Sequence, residues 1–295
     1  MFIANDLKKE YDLPKSDEYR AGFAELVFDV LERFIIDKPM FSMDNFTLMY
    51  NDEFSMRTAC HKDIFSTMYL EINQPNNYKP KKISLTNNKK KKDKVEIPEL
   101  YISLDEIKKG IFESAVQYLD GNHLIWVEKN SICIKATVYD EDIGIQPYYL
   151  RIIPCFTYYN KENVRGILYY SGNELDIEYP LLTLENYESK NRLTDDIFRQ
   201  TILIFKNILL KEKTIDRLPS EIIETVLYNV PTEMFLDDKH QTILNMVNYL
   251  RNKNVKDFVT IDEQDYAFTS IYRSMSLYYV KHILKLIEKY LERAR

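Results

Sequence analysis

Hydrophobic and polar positions follow two different periods along this chain, and the change from one to the other divides it. From Ser16, a residue type that caps helices, Phe23, Leu26, Val27, Val30, Leu31 and Phe34 recur on one helical face until Pro39 stops the run. A short apolar run, Phe46 to Tyr50, and a polar turn region come next. In Ile64 to Ile72 the residues Ile64, Ser66, Met68, Leu70 and Ile72 share one strand face. Ser103, with Glu106 three positions on, predicts a capped helix that runs to about Leu119 and stops near Gly121. Strands are expected in quick order at Leu124 to Val127, Ser131 to Tyr139, Tyr148 to Phe156, Gly166 to Tyr170 and Leu175 to Ile177. From Thr194 the period turns helical, over about 194–211, 219–229, 240–252 and 265–294, with Pro219 and Pro231 as punctuation.

This order predicts an α+β chain: an α/β lobe over 1–190 with a mixed sheet and helices, then a helical lobe over 191–295. Two lobes leave a cleft between them as the expected site. One stretch breaks the pattern. Residues 73–99 hold Lys79, Lys81 and Lys82, then Lys89, Lys90, Lys91, Lys92 and Lys94 before Pro98, and read as an insert with an exposed Lys-rich loop at about 76–96. It is either a solvated loop or a phosphate-contacting patch.

Composition narrows the classes. The chain has 295 residues, and 45% hydrophobic with 13% aromatic residues exclude a disordered chain. No apolar run approaches the roughly 20 residues of a membrane span. Met1 to Asp12 lacks a signal core, so a cytoplasmic protein without a membrane partner is expected. A formal charge of −6 argues against a chain devoted to duplex nucleic acid and leaves such contact only to the Lys-rich loop. Cys60, Cys133 and Cys155 are too far apart for zinc or redox motifs and read as buried thiols. None of the six glycines frames a phosphate-cradling loop, and hydrolase motifs are absent.

One series of residues carries a resemblance. Leu150-Arg-Ile-Ile-Pro-Cys-Phe-Thr-Tyr158, then Asn186 to Lys190, Asn191 and Thr194, then Ile204-Phe-Lys-Asn207, Leu218-Pro-Ser-Glu-Ile-Ile-Glu224 and Tyr228-Asn-Val-Pro231 resemble the bacterial nucleotidyltransferases related to oligoadenylate synthetase and cyclic GMP-AMP synthase. The resemblance implies a two-lobe nucleotidyltransferase fold whose sheet carries two acidic residues on one strand and a third on its neighbour. Those carboxylates would hold two Mg²⁺ or Mn²⁺ ions on ATP or GTP.

Against that pattern the metal-binding acids are missing. Arg151 occupies the third acid's position, and a guanidinium repels a metal. Ser66 and Met68 are placed where the paired acids align, and Asp52 and Glu53 stand near the expected Gly-Ser turn. The remaining carboxylate candidates are Asp52, Glu53, Asp63 and Glu71. By the same resemblance Arg199 and Lys206, seven positions apart and so on one helical face, and Ser220 would grip the triphosphate tail. As plain residues, Arg199 and Lys206 flank an apolar stripe and Ser220 is a helix cap. Two functions are expected to compete. One is a catalytically degenerate binder of a nucleotide or of a protein partner, such as an active nucleotidyltransferase or an effector. The other is an active synthase of linear or cyclic oligonucleotide signals of the antiviral-defence type, recruiting displaced carboxylates.

Overall fold

A computed structural model describes residues 16–50, 64–73, 81–86, 92–97, 103–119, 121, 123–140, 144–171, 174–211, 220–268 and 273–293. The described residues up to Leu181 form one compact unit and those from Leu182 onward form another.

The first unit opens with α1 (Ser16–Asp37), followed by β1 (Phe46–Tyr50), β2 (Ile64–Ile72), β3 (Lys81–Thr86) and β4 (Lys92–Ile97). After these come α2 (Leu104–Tyr118), β5 (Leu124–Val127), β6 (Ile132–Asp140), β7 (Gly144–Tyr159), β8 (Arg165–Ser171) and β9 (Glu174–Glu178). Seven strands make one sheet in the order β1-β2-β7-β6-β5, with β8 on β7 and β9 on β8. The β2/β7 pair is parallel and its neighbours are antiparallel, so the sheet is mixed and the chain is α+β.

Strand alternation gives this sheet one closed face. Ser66, Met68, Leu70 and Ile72 of β2, Leu150 and Ile152 of β7, and Ile132 and Ile134 of β6 are each at most 1% exposed. Helices α1 and α2 pack against each other so closely that a Cβ on Gly110 would meet the Phe34 ring at 2.6 Å, and α2 also contacts β5 and β7. Phe34, Phe41 and Phe46 form an aromatic group with centroids 5.6–6.1 Å apart. The expected capping box holds α2: Ser103 Oγ accepts from the Glu106 backbone N–H at 3.2 Å, and the Ser103 backbone N–H donates to Glu106 Oε2 at 2.8 Å.

The Lys-rich stretch corrects the sequence reading. It is not a loop throughout: β3 and β4 pair antiparallel, with Lys81 opposite Ile97, Ile83 opposite Val95 and Thr86 opposite Lys92. Ile83 and Leu85, and Val95 and Ile97, alternate with polar residues, and that period of two outweighs the charge run.

The second unit is helical: most of α3 (Pro180–Leu193), then α4 (Ile197–Lys211), α5 (Ser220–Tyr228), α6 (Lys239–Asn252) and α7 (Arg273–Arg293). Its core is built from Tyr187, Phe198, Ile202, Phe205, Leu227, Ile243, Met246 and Ile287. Asp238 caps α6 by accepting from the His240 and Gln241 backbone N–H groups. Two helix boundaries differ from expectation. The helix expected from Thr194 starts at Ile197, because Thr194–Asp196 is a turn in which Asp195 and Asp196 have φ of 47° and 68°, a conformation that aspartate tolerates. The helix expected from 265 is not present over 265–268, where Val259 and Tyr266 bridge to close a turn; the described helix covers Arg273–Arg293.

Candidate functional site

The second face of the sheet, buried around Tyr69, Ile153 and Cys155 and partly exposed around Arg151, is set by register. Arg151 of β7 lies opposite Thr67 on β2 and opposite Cys133 on β6, so these three residues share a face. On β2 the positions that share Arg151's register are therefore 65 and 67, held by Phe65 and Thr67. This corrects the sequence placement: Ser66 and Met68 belong to the closed, apolar face and are buried there. Asp52, Glu53 and Asp63 lie outside the described residues.

Glu71, the remaining carboxylate candidate, is on the same face as Arg151, in its buried part, and is fully buried. Its carboxylate accepts from Thr157 Oγ1 at 2.5 Å and from the Arg165 guanidinium, so its lone pairs are taken by protein donors rather than offered to a metal. Beside it, Glu178 accepts from the hydroxyls of Tyr69 and Tyr169. Gly166 is needed here, since a Cβ would meet the Glu178 carbonyl at 2.8 Å and the Tyr179 ring at 2.9 Å. Among the described residues no group of three His, Cys, Asp or Glu converges as a metal site would require.

Around Arg151 the face gathers a different chemistry. Arg151 Nη2 pairs with Glu128 Oε2 at 3.1 Å, with both side chains about 40% exposed. Its Nε is buried and has no hydrogen-bond partner among the described residues. Trp126 Nε1 donates to Glu128 Oε1 at 3.4 Å, and the Trp126 and Tyr149 rings meet edge to face at 6.5 Å. The Lys135 ammonium lies 5.2 Å from the centre of the Tyr149 ring. Cys133 lies on the same face beneath this group, and burial pushes its thiol pKa up. Sequence reasoning singled out Arg151 but missed Trp126, Glu128, Lys135 and Tyr149. Only strand register brings them together.

In the helical unit the phosphate-grip candidates are engaged otherwise. Lys206 is a correction: its ammonium is buried and donates to Glu224 Oε1 at 2.7 Å, with 2% and 4% of the two side chains exposed, so it is not presented to a phosphate. Arg199 Nη2 pairs with Asp196 Oδ2 at 2.7 Å, and Asn191 Nδ2 donates to Asp196 Oδ1 at 2.8 Å, tying the α3–α4 turn together. Burial raises the Asp196 carboxyl, but the bonds from Asn191 and Arg199 outweigh it and hold the pKa below the usual value. Ser220 is the first residue of α5. Lys190, quoted in the sequence series without a role, caps the far end of α5 by donating to the Tyr228 and Val230 carbonyls at 2.5 and 2.6 Å. The rings of Phe198, Tyr228 and Phe235 surround its ammonium at 5.1–5.7 Å. Burial lowers its pKa to about 8, against the opposing pull of Glu233 and Glu263.

Residues 185–292 match the family described as the cGAS/DncV-like nucleotidyltransferase C-terminal helical domain. The chain is 31% identical over 163 residues to a cyclic nucleotide synthase, CdnE01, of Staphylococcus haemolyticus; the match covers 49% of this chain and 51% of that protein, about half the relative's length. In three dimensions it is similar to the Rhodothermus marinus CdnE c-UMP-AMP synthase, solved with Apcpp and Upnpp, with a TM-score of 0.63, 16% identity and coverage of 89% of this chain and 90% of that one. It is also similar to the Elizabethkingia meningoseptica CdnE cyclic dinucleotide synthase, solved with GTP and Apcpp, with a TM-score of 0.64, 16% identity and 91% of both chains covered. The fold is therefore that of the CdnE nucleotidyltransferase structures, and the chain is similar in sequence to the CD-NTase C-terminal helical domain and to a cyclic nucleotide synthase. No helix among the described residues is long and apolar enough to cross a membrane.

Proposed function

We propose that this chain binds a nucleotide on its nucleotidyltransferase fold without performing the metal-dependent transfer. The observation that carries this reading is Arg151, at the position where the family resemblance implies the third carboxylate, with the uncharged Thr67 as its register neighbour on β2. Neither threonine nor arginine brings the negative charge that the three-carboxylate site needs, and the buried Glu71 is already engaged by Arg165 and Thr157. Mg²⁺ or Mn²⁺, if bound, would supply Lewis-acid activation of the attacking hydroxyl and charge neutralisation on the triphosphate. The described carboxylates do not fit such a site. Nucleoside triphosphate as ligand is supported by the solved relatives, which hold GTP, Apcpp or Upnpp. A protein partner belongs to the same reading, since a chain without transfer activity acts through what it binds.

A second reading, an active synthase, is favoured by the Staphylococcus haemolyticus relative, which is named a cyclic nucleotide synthase. It would draw its carboxylates from Asp52, Glu53 or Asp63. Incubating the purified chain with labelled ATP, GTP, CTP and UTP and with Mg²⁺ or Mn²⁺ separates the two. The binding reading expects no oligonucleotide product above a no-protein control. Product formation abolished by replacing Asp52, Glu53 and Asp63 together by Asn and Gln would establish the synthase instead.

A further inference from the structure

We infer that Arg151, Lys135 and the Trp126–Tyr149 ring pair form a metal-independent site for the phosphates of a nucleotide, with Glu128 as an internal competitor for Arg151. The inference rests on the binding reading above and names the atoms that would do the binding.

In a carboxylate site, negative side chains must recruit divalent cations before a triphosphate can approach. Among the described residues the sign is reversed: Arg151 and Lys135 bring two positive charges against the carboxylate of Glu128. A polyanion is attracted directly, and a free divalent cation is not.

Arg151 has capacity to spare. A guanidinium carries five N–H donors in a planar fork suited to phosphate oxygens. One nitrogen, Nη2, is paired with Glu128 on the exposed side, while the buried Nε is turned inward and the group interacts with the Cys133 thiol, so the capacity for a phosphate lies in the exposed Nη donors. With 40% of its side chain exposed, the group can accept a phosphate by exchanging one oxyanion for another. Lys135 is held over the Tyr149 ring and has no carboxylate partner among the described residues, so its charge is also available.

The rings supply the second half of a nucleotide's chemistry. Trp126 and Tyr149 are half-buried on the same face, and partly exposed aromatic faces beside cations stack nucleobases. Phosphate groups near Arg151 and a base near Trp126 would match one ligand of nucleotide type. Glu128 bonds to both Arg151 and Trp126 and so closes the site when it is empty.

Trp126 is the only tryptophan in the chain, so its fluorescence reports this site directly. The full chain is titrated with ATP and, separately, with inorganic tripolyphosphate, each in EDTA and in excess Mg²⁺. The expected result is ATP binding in EDTA that Mg²⁺ leaves unchanged or weakens, because the cation neutralises the triphosphate. Arg151→Gln should weaken ATP and tripolyphosphate by at least about tenfold, the loss of a charged hydrogen-bonding partner. Glu128→Gln should tighten both, since it removes the competitor. Calorimetry with Trp126→Leu should show ATP losing more affinity than tripolyphosphate.

ATP binding that Arg151→Gln leaves intact overturns the site while the binding reading stands. Binding seen only with Mg²⁺ overturns the metal-independent site. Absence of any binding by calorimetry overturns the site as well, and leaves the absence of transfer to be judged by the product assay. Weaker binding in Glu128→Gln overturns the competitor role and the exchange on which the site depends. A lysine at the position, Arg151→Lys, controls for folding: it keeps the charge, and it should retain more tripolyphosphate affinity than Arg151→Gln.

Discussion

Two ion pairs in this molecule have nearly the same chemistry and opposite settings. Lys206–Glu224 joins α4 to α5 with almost nothing of either side chain exposed, whereas Arg151–Glu128 crosses from β7 to the end of β5 with about 40% of each exposed. The first has lost its water and can exchange with nothing, so it works as a part of the helical core. The second keeps its water, is weak by the same token, and can open for another anion. Position in the fold, rather than residue type, decides which basic residue is available to a ligand. The family resemblance alone assigns Lys206 to phosphate and Arg151 to the loss of a metal; the burial of the two pairs points the other way.

The largest effect comes from breaking the buried pair on one side. Lys206→Ala leaves the buried Glu224 carboxylate without its paired ammonium, and the expected loss is about 3–5 kcal/mol of stability. Replacing both partners, as in Lys206→Met with Glu224→Leu, removes the stranded charge and should recover most of that loss. Urea unfolding followed by circular dichroism measures both variants. A double variant as unstable as the single one would mean that the pair contributes specific binding energy to the helical core, and that it is not replaceable by packing.

A smaller effect tests the lysine that lies between these extremes. Lys190 is buried enough for its pKa to fall to about 8, below the ordinary value for lysine of 10.5. The sign follows from proton counting. As pH rises from about 8, the folded state gives up the Lys190 proton before the unfolded state does, so the unfolded state binds more protons and stability rises until about 10.5. One proton limits the slope to about 1.4 kcal/mol per pH unit. The Cys133 and Cys155 thiols and the Tyr187 and Tyr228 hydroxyls are all raised, mainly by burial, and they oppose this, losing stability as pH climbs. The thiols and Tyr187 are common to the wild type and to Lys190→Met, and Tyr228, which touches Lys190, is raised above its ordinary value of 10, so below pH 10 the stability difference between the two proteins reports chiefly the lysine. That difference should widen in favour of the wild type between pH 8 and 10; a constant or shrinking gap would show that the carbonyls and rings, and not desolvation, set the Lys190 charge.

Most elements of the fold were legible because each repeats a local period: the apolar stripe of α1, the capping box of α2 and the strands of the sheet are all written within their own residues. What failed was what depends on a partner elsewhere. Whether positions 65 and 67 or 66 and 68 share a face with Arg151 is set by the β2/β7 register, and a slip of one residue exchanges the two faces. Nothing inside Ile64–Ile72 fixes that register, and the alignment that put Ser66 and Met68 at the acid positions chose the face that the sheet buries. The partner of Lys206 lies 18 positions away on another helix, so its burial could not be read from the stripe beside it. In the same way Trp126, Lys135, Tyr149 and Arg151 come from three strands and meet only once β5, β6 and β7 are paired. The hairpin at Lys81–Ile97 was legible and passed over, since its alternation was hidden under its charge.

The smallest expected effect completes the contrast. For Arg151 and Glu128 the stability coupling in a double-mutant cycle, with Arg151→Gln, Glu128→Gln and both, should be about 0.2–1 kcal/mol, as for exposed pairs generally. Salt should reduce it, because water and ions reach both groups. The cycle is measured by urea unfolding at low and high sodium chloride. A coupling of 3 kcal/mol or more, of the size expected for a desolvated pair, would make Arg151–Glu128 a structural lock like Lys206–Glu224. A guanidinium locked in that way could not exchange its partner for a phosphate, so a small coupling is what the ligand site on the sheet requires.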